Sequence, residues 1–77
     1  MNLVIGKLYM VISMPTRSII GDNGGMLGSY IGTLRSNDIV LFLGELNESW
    51  LKILTSDGVV GYVSNYDSNN WKLVEEV

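Results

Sequence analysis

The 77-residue sequence contains no cysteine and no histidine. Without cysteine the chain cannot form a disulfide, a thiol nucleophile or a thiolate zinc site. Without histidine it has no imidazole base and no catalytic triad. Its eight carboxylates fall mostly in predicted turns and at the C-terminal end, where no neighbouring feature would tune a pair for acid–base chemistry. The sequence therefore predicts a protein that is not an enzyme and that uses no metal or cofactor.

Positive charge is also scarce, because five Lys and Arg residues stand against eight Asp and Glu residues, for a net charge of -3. The basic residues are scattered, whereas a nucleic-acid surface needs clustered positive charge. No stretch reaches the roughly 18 uninterrupted apolar residues of a membrane-spanning helix. The apolar opening MNLVIGKLYMVISMP lacks the basic segment and cleavage site of a signal peptide. We expect a cytoplasmic protein that binds neither nucleic acid nor a membrane.

Helical periodicity is missing as well, since no window combines a 3.6-residue apolar period with helix caps. Nine glycines, one proline and many β-branched and aromatic residues are typical of an all-β chain instead. Hydrophobic residues make up 47% of the sequence, which is too apolar for a disordered chain. The length predicts one small domain over residues 1–77.

Alternating and continuous apolar runs predict five strands. These are Lys7–Ser13, Asp38–Gly44, Ser49–Thr55, Val59–Val63 and Trp71–Val74. The run DIVLFLG is apolar on both faces, so it is predicted to be central and covered on both sides. The dipeptide Asp57-Gly58 suits the positive φ of a tight hairpin turn. We expect the five strands to close into a small barrel, since closure removes exposed strand edges.

Residues 14–37 hold five of the nine glycines and are predicted to form a long, irregular hairpin loop. Its arms would be Ser18–Ile20 and Ser29–Leu34, and a loop of this length is often functional. Within it, GDNGGMLG lacks the lysine and Ser/Thr of a phosphate-binding loop. One carboxylate, Asp22, is a poor calcium site, because calcium takes several oxygen ligands. The glycines are therefore interpreted as turn residues.

The order of features from Thr33 to Tyr66 resembles an SH3 domain. LRSNDIVLFLGE is similar to that family's turn and second strand, with Asn37 where the family has glycine. ESWLKIL resembles the tryptophan-initiated third strand, and DGVVGYVSNY resembles the distal hairpin and the Ser-Asn-Tyr turn. KLYMV is similar to the family's Ala-Leu-Tyr strand, and the glycine-rich loop occupies the place of the RT loop. The resemblance implies an SH3-like five-stranded barrel.

This resemblance also implies a binding surface. In the family, the positions that match Tyr9, Trp50, Tyr62 and Tyr66 line a shallow aromatic groove for proline-rich peptides. Specificity would come from the loops, where the acidic residues are Asp22, Glu45 and Glu48. The chain departs from the family in further places: no proline precedes Ser64, Val11 replaces a tyrosine, and the RT-type loop offers one acid, Asp22, where eukaryotic members that read basic residues place several. We therefore expect a protein partner recognised in some other way than as a proline-rich peptide.

Strand alternation leaves a second interpretation of the same aromatics. It places Trp50, Lys52 and Leu54 on one side of their strand, with Leu51 and Ile53 on the other. The large rings could simply cover the rim of a small core rather than bind a ligand. Trp71 is predicted to pack in the last strand with its indole N–H at the surface.

The predicted function is a non-enzymatic protein–protein interaction through this aromatic surface, with residues 14–32 as the specificity element. One alternative is a structural role in which the domain assembles with itself or within a larger particle. In size and style the chain resembles small stand-alone proteins encoded by bacteriophages. Another alternative is binding to cell wall or glycan, as in the bacterial SH3 type, which shares the W-x-K-I and G-Y-V pattern. The ending NNWKLVEEV also resembles that of a barrel-shaped photosystem subunit.

Overall fold

The computed structural model describes residues 3–12, 17–23, 26–65, 69 and 71–74. The described part of the chain is all-β and contains no α-helix. Its strands are β1 (Leu8–Val11), β2 (Arg17–Asn23), β3 (Met26–Leu34), β4 (Ile39–Glu45), β5 (Trp50–Thr55), β6 (Val60–Ser64) and β7 (Trp71–Leu73). No helix among these residues has the length and hydropathy needed to cross a membrane.

The seven strands form a single antiparallel sheet in the order β3-β2-β6-β5-β4-β1-β7. The first strand therefore lies between the fourth and the last, with Val11 opposite Trp71. The two end strands, β3 and β7, are not paired with each other among the described residues, so the sheet is not closed into a barrel. The prediction of a five-stranded closed barrel is therefore wrong both in the number of strands and in closure.

The two additional strands come from the glycine-rich segment. Residues predicted as a long hairpin loop form the regular strands β2 and β3, which pair along most of their length from Arg17 with Leu34 to Asn23 with Met26. The hairpin itself is confirmed, but its arms are longer than the sequence indicated. Two register shifts interrupt the pairing, on either side of Ile20. Such bulges bend a strand and increase its twist.

One face of the sheet carries the hydrophobic core. Its buried members alternate along the strands, as the period of two requires. They are Tyr9, Val11, Ile19, Leu34, Val40, Phe42, Leu51, Ile53, Val63 and Trp71. Burying an aliphatic or aromatic side chain of this size contributes roughly 1.5–3 kcal/mol. The inward direction of Leu51 and Ile53, predicted from the alternation, is confirmed.

Three of the four described residues with positive φ bear on the predicted strands and turns. Gly58 has φ +86° and closes the hairpin between β5 and β6, while its N–H donates to the carbonyl of Thr55 at 3.0 Å. The prediction for this turn is right for Gly58 alone, since Asp57 does not have positive φ. Gly44, with φ +137°, sits at a register shift in β4. Asn37, with φ +75°, occupies the turn before β4.

The structure corrects two further expectations. Among the described residues nothing covers the outer face of β4, where Ile39, Leu41 and Leu43 are only half-buried. The indole nitrogen of Trp71 is not at the surface: the ring is 1% exposed and packs against Tyr9 with the ring centroids 6.3 Å apart. No described residue accepts a hydrogen bond from Trp71 Nε1, which is itself buried.

Candidate interaction surface

The predicted aromatic surface does not form one exposed patch in the described part of the chain. Tyr9 lies on the core face of β1 and Tyr62 on the outer face of β6, and each is only 5% exposed. Trp50 is half-buried at the start of β5. Tyr66 lies outside the described residues. Of the described members of this surface, Trp50 alone is not buried.

The two buried tyrosines have different surroundings. Tyr9 belongs to the core, but its hydroxyl reaches the rim, where it accepts a hydrogen bond from the backbone N–H of Val4 at 2.8 Å. Tyr62 lies outside the core cluster and is flanked across the sheet by Lys52 of β5 and Ile20 of β2. Neither ring is exposed as part of an aromatic groove among the described residues, since each is only 5% exposed.

Trp50 is held in place by the turn that precedes it. The side-chain oxygen of Asn47 accepts hydrogen bonds from the backbone N–H groups of Ser49, at 2.8 Å, and of Trp50, at 3.1 Å. Asn65 binds the same turn from the end of β6, since its backbone N–H donates to Ser49 and its side-chain amide donates to the carbonyl of Glu48. A side-chain oxygen that satisfies two successive N–H groups fixes a local turn. These hydrogen bonds fix the turn 46–49 and, with it, the backbone of Trp50 at the start of β5.

The acidic residues assigned to the loops are spread apart. Glu45 ends β4 and Glu48 lies in the turn 46–49, and both are exposed. Asp22 is on β2, opposite Leu27 of β3, at the other end of the sheet order. Glu48 lies in the turn that leads to Trp50, whereas Glu45 pairs with Leu51, whose side chain faces the core. Asp22 belongs to the β2–β3 hairpin.

A row of aliphatic residues crosses the outer face of the sheet. The row consists of four residues in register on four neighbouring strands: Leu8, Leu41, Leu54 and Val60. Leu8 and Val60, at its two ends, are each 47% exposed, and the two leucines between them are half-buried. Neighbouring strands lie about 4.8 Å apart, so the row is about 15 Å long. We call these four residues the aliphatic row.

A shallow apolar groove of about 350 Å³ opens beside the aliphatic row. It is lined by Leu8, Ile39, Leu41, Leu54, Thr55 and Ser56. Its lining has no charged side chain, and the hydroxyl of Thr55 already accepts a hydrogen bond from the N–H of Val59 at 3.1 Å. The groove can take apolar side chains from a partner, with Ser56 as a polar edge.

A second depression, of about 150 Å³, is polar. It lies between the start of β4 and the turn after β5, and its lining includes Thr33, Asp38 and Asp57. The carboxylate of Asp38 is already engaged, because it accepts a hydrogen bond from the backbone N–H of Arg35 at 2.9 Å. Among the described residues no three potential metal ligands come together. The Asp38 carboxylate in this depression therefore has a structural role in the turn before β4.

The aliphatic row was not predicted from the sequence, although its signal is there. In DIVLFLG both alternating sets are apolar, which indicated a strand covered on both sides. The outer set was assigned a covering layer, and none of the described residues supplies one. Leu8 and Leu54 continue the same outer set on β1 and β5.

Comparison with known protein families, with characterised proteins and with solved structures finds no match for this chain.

Proposed function

We propose that this chain is a non-enzymatic protein-interaction domain that binds its partner through the outer face of the sheet. The observation that carries the proposal is the aliphatic row with the groove beside it. Contiguous apolar surface that stays open on a folded protein marks interaction sites. Scattered exposed apolar residues are ordinary, but Leu8, Leu41, Leu54 and Val60 lie side by side across four strands.

Trp50 extends the surface that a partner would contact. It lies on the same face of β5 as Leu54, with Lys52 between them. Tryptophan is enriched at the energetic centres of protein interfaces, and the backbone of Trp50 is already fixed by its hydrogen bond to Asn47 before a partner binds. Glu48 is exposed in the turn before Trp50 and would favour a partner with basic residues there. The partner chemistry we propose is an apolar segment with flanking positive charge.

An SH3-like architecture is part of the proposal. It is supported by the order of the elements: a short first strand, a glycine-rich hairpin, a strand pair joined at Gly58, and a last strand that returns beside the first. The hairpin of β2 and β3 occupies the place in the chain where the SH3 family has its RT loop. Asn37 has the positive φ for which a glycine in that position is suited. The burial of Tyr9 and Tyr62 weighs against a proline-peptide groove of the usual kind.

The proposal is tested by affinity capture from cells of the source organism, followed by binding measurements with purified partner. We compare the wild type with Leu8→Lys, which places a charge in the groove at a position exposed enough to leave folding intact. Tyr30→Lys is the matched control, because it introduces the same charge at an exposed residue of β3. We expect Leu8→Lys to weaken binding at least tenfold and Tyr30→Lys to leave it unchanged.

Trp50→Ala decides whether the surface extends to the tryptophan. If wild type and Leu8→Lys recover the same partners with the same affinity, the outer face is not the site. If purified cell wall retains the wild type and Leu8→Lys equally, the glycan-binding alternative replaces the proposal. Both measurements require that each variant shows the thermal unfolding of a folded domain.

A further inference from the structure

Lys52 places a charge within the apolar outer face of the sheet. It lies on β5 between Trp50 and Leu54, which share its side of the strand and are, like Lys52, half-buried. Side chains on one face of a strand are about 6.5 Å apart, so β5 presents an apolar, a charged and an apolar group at regular spacing. The lysine therefore lies inside the surface proposed to bind a partner and not at its border.

No described residue supplies a counter-ion for Lys52. Its side chain makes no hydrogen bond, ion pair or ring contact with the described part of the chain. The neighbouring strand β4 carries one carboxylate, Glu45, but this residue pairs with Leu51, whose side chain faces the core. Covering an ammonium group without a counter-charge is costly, because the group loses its water. Lys52 thus sets a requirement for any partner that covers the outer face.

Gly44 leaves room for a counter-charge beside Lys52. It is the residue of β4 in register with Lys52, so a side chain at this position would project from the same face. Among the described residues other than its chain neighbours, a Cβ atom built on Gly44 would have one atom within 4 Å, Cδ1 of Ile5 at 3.7 Å. The outer face therefore has a gap above Gly44, bordered by Ile5 and next to Lys52, that a carboxylate can enter.

We propose that the partner presents an Asp or Glu to Lys52, on an extended segment with the pattern apolar-x-acid-x-apolar. Side chains two positions apart on an extended segment lie on one side of it, with the same spacing of about 6.5 Å. The acid would occupy the gap above Gly44, while the two apolar side chains reach Trp50 and the aliphatic row at Leu54. This inference rests on the proposed function and adds an acid to the apolar segment described there.

Charge complementarity favours this occupant over an uncharged or a basic one. A wholly apolar segment would cover the Lys52 ammonium without pairing it, and a basic residue at the same place would set two like charges together. A carboxylate instead forms a charge-assisted hydrogen bond, which is about twice as strong as a neutral one. Lys52 would also fix the register of the segment, because a slip by one residue turns the acid to the opposite side.

The test selects a phage-displayed library of random linear peptides on the purified wild-type chain. We expect the enriched peptides to carry an Asp or Glu between two apolar residues. Replacing this acid by its amide in the synthetic peptide should weaken binding to the wild type at least tenfold, measured by fluorescence polarisation. Lys52→Met keeps the length of the apolar stem and removes the charge, so it should bind the acid and amide peptides with equal affinity.

Lys72→Met is the matched control. It removes the same charge from an exposed position on β7, two strands away from β4 in the sheet order. It should prefer the acid peptide as strongly as the wild type does. Lys52→Glu should reverse the preference and bind best to the peptide in which lysine replaces the acid. A reversed preference requires a folded binding surface, so it separates the effect of charge from a loss of folding.

The inference would be overturned if no peptide is enriched, if the enriched peptides lack the acid, or if Lys52→Met still prefers the acid peptide to its amide. Leu8→Lys distinguishes this failure from a failure of the proposed function. If Leu8→Lys loses binding and Lys52→Met binds the acid peptide as the wild type does, the outer face remains the site and the acid is wrong. If Lys52→Met loses the preference and Leu8→Lys binds normally, the acid is right and the aliphatic row is not part of the site.

Discussion

Gly61 and Ile19 approach each other so closely that no side chain fits at position 61. A Cβ atom built on Gly61 would lie 2.5 Å from Cγ2 of Ile19 and 3.0 Å from the carbonyl oxygen of Ile20. The second of these atoms belongs to the backbone and cannot turn away. β2 is attached to the rest of the sheet through β6, in register at Ile20 and Tyr62. The absence of a side chain at position 61 is what lets the β2–β3 hairpin lie against the core.

Gly61→Ala is therefore expected to destabilise the protein. Overpacking of this kind costs about 1–3 kcal/mol. Gly32→Ala is the matched control, because its added Cβ would be 3.5 Å from Cδ1 of the same Ile19, an ordinary contact. Urea unfolding should show a large loss of stability for Gly61→Ala and little change for Gly32→Ala. Equal effects of the two substitutions would show that the close approach at position 61 has no energetic importance.

The turn before β4 carries a measurable strain at Asn37. Its φ of +75° costs most L-residues about 1–2 kcal/mol, and asparagine tolerates it better than others. The backbone there is fixed, since the N–H of Asn37 donates to the carbonyl of Val11 at 2.7 Å. We expect Asn37→Gly to be neutral or stabilising and Asn37→Val to cost about 1–2 kcal/mol in thermal or urea unfolding. The opposite order of the two variants would contradict the assignment of strain to this residue.

Asn47 is expected to control the orientation of Trp50. Asn47→Ala removes the acceptor for two backbone N–H groups and should cost about 1 kcal/mol. Glu48→Ala is the control, because the turn uses the backbone carbonyl of Glu48 and its side chain is exposed. NMR amide shifts at residues 49 and 50 should move in Asn47→Ala and stay in place in Glu48→Ala. Unchanged amide shifts at residues 49 and 50 in Asn47→Ala would mean that the turn does not depend on the Asn47 side chain.

The two tryptophans should respond very differently to truncation. Trp71 is fully buried against Tyr9, so Trp71→Ala is expected to cost about 3–5 kcal/mol. Trp50 is half-buried on the outer face, so Trp50→Ala should cost about 1 kcal/mol or less. Acrylamide should quench the fluorescence of Trp71→Phe, which retains Trp50, more strongly than that of Trp50→Phe. Equal quenching would contradict the assigned environments.

The sequence predicted much of the sheet because alternation and turn chemistry are local signals. The inward set on β5, the hairpin closed at Gly58 and the existence of a hairpin over residues 17–34 follow from patterns within a few residues. Whether a sheet closes into a barrel depends on its total curvature. The apolar runs in the sequence predict strands but not that curvature. Whether β3 and β7 meet depends on the summed twist of all the strands between them, and no local pattern reports that sum.

The candidate site was harder to predict for a related reason. Tyr9 and Tyr62 were predicted to be exposed from the sequence pattern, but exposure depends on what packs beside them in three dimensions. The aliphatic row depends on the register of four strands, which sets Leu8 opposite Leu41 and Leu54 opposite Val60. A one-residue slip in any of these pairings would turn the set to the other face. The prediction that the Trp71 N–H lies at the surface was wrong because the position of a residue in a strand does not determine how deeply its ring is buried.

The position of β1 between β4 and β7 has a consequence for how the protein folds. Hairpins such as β5–β6 join residues close in sequence and can form in microseconds. The pairing of Val11 with Trp71 joins residues separated by most of the chain. Bringing them together costs loop-closure entropy before the contacts between them can form. Topologies dominated by such distant pairings fold in milliseconds to seconds. The slow step of folding should therefore be the arrival of β7 beside β1, which also completes the core by bringing in Trp71.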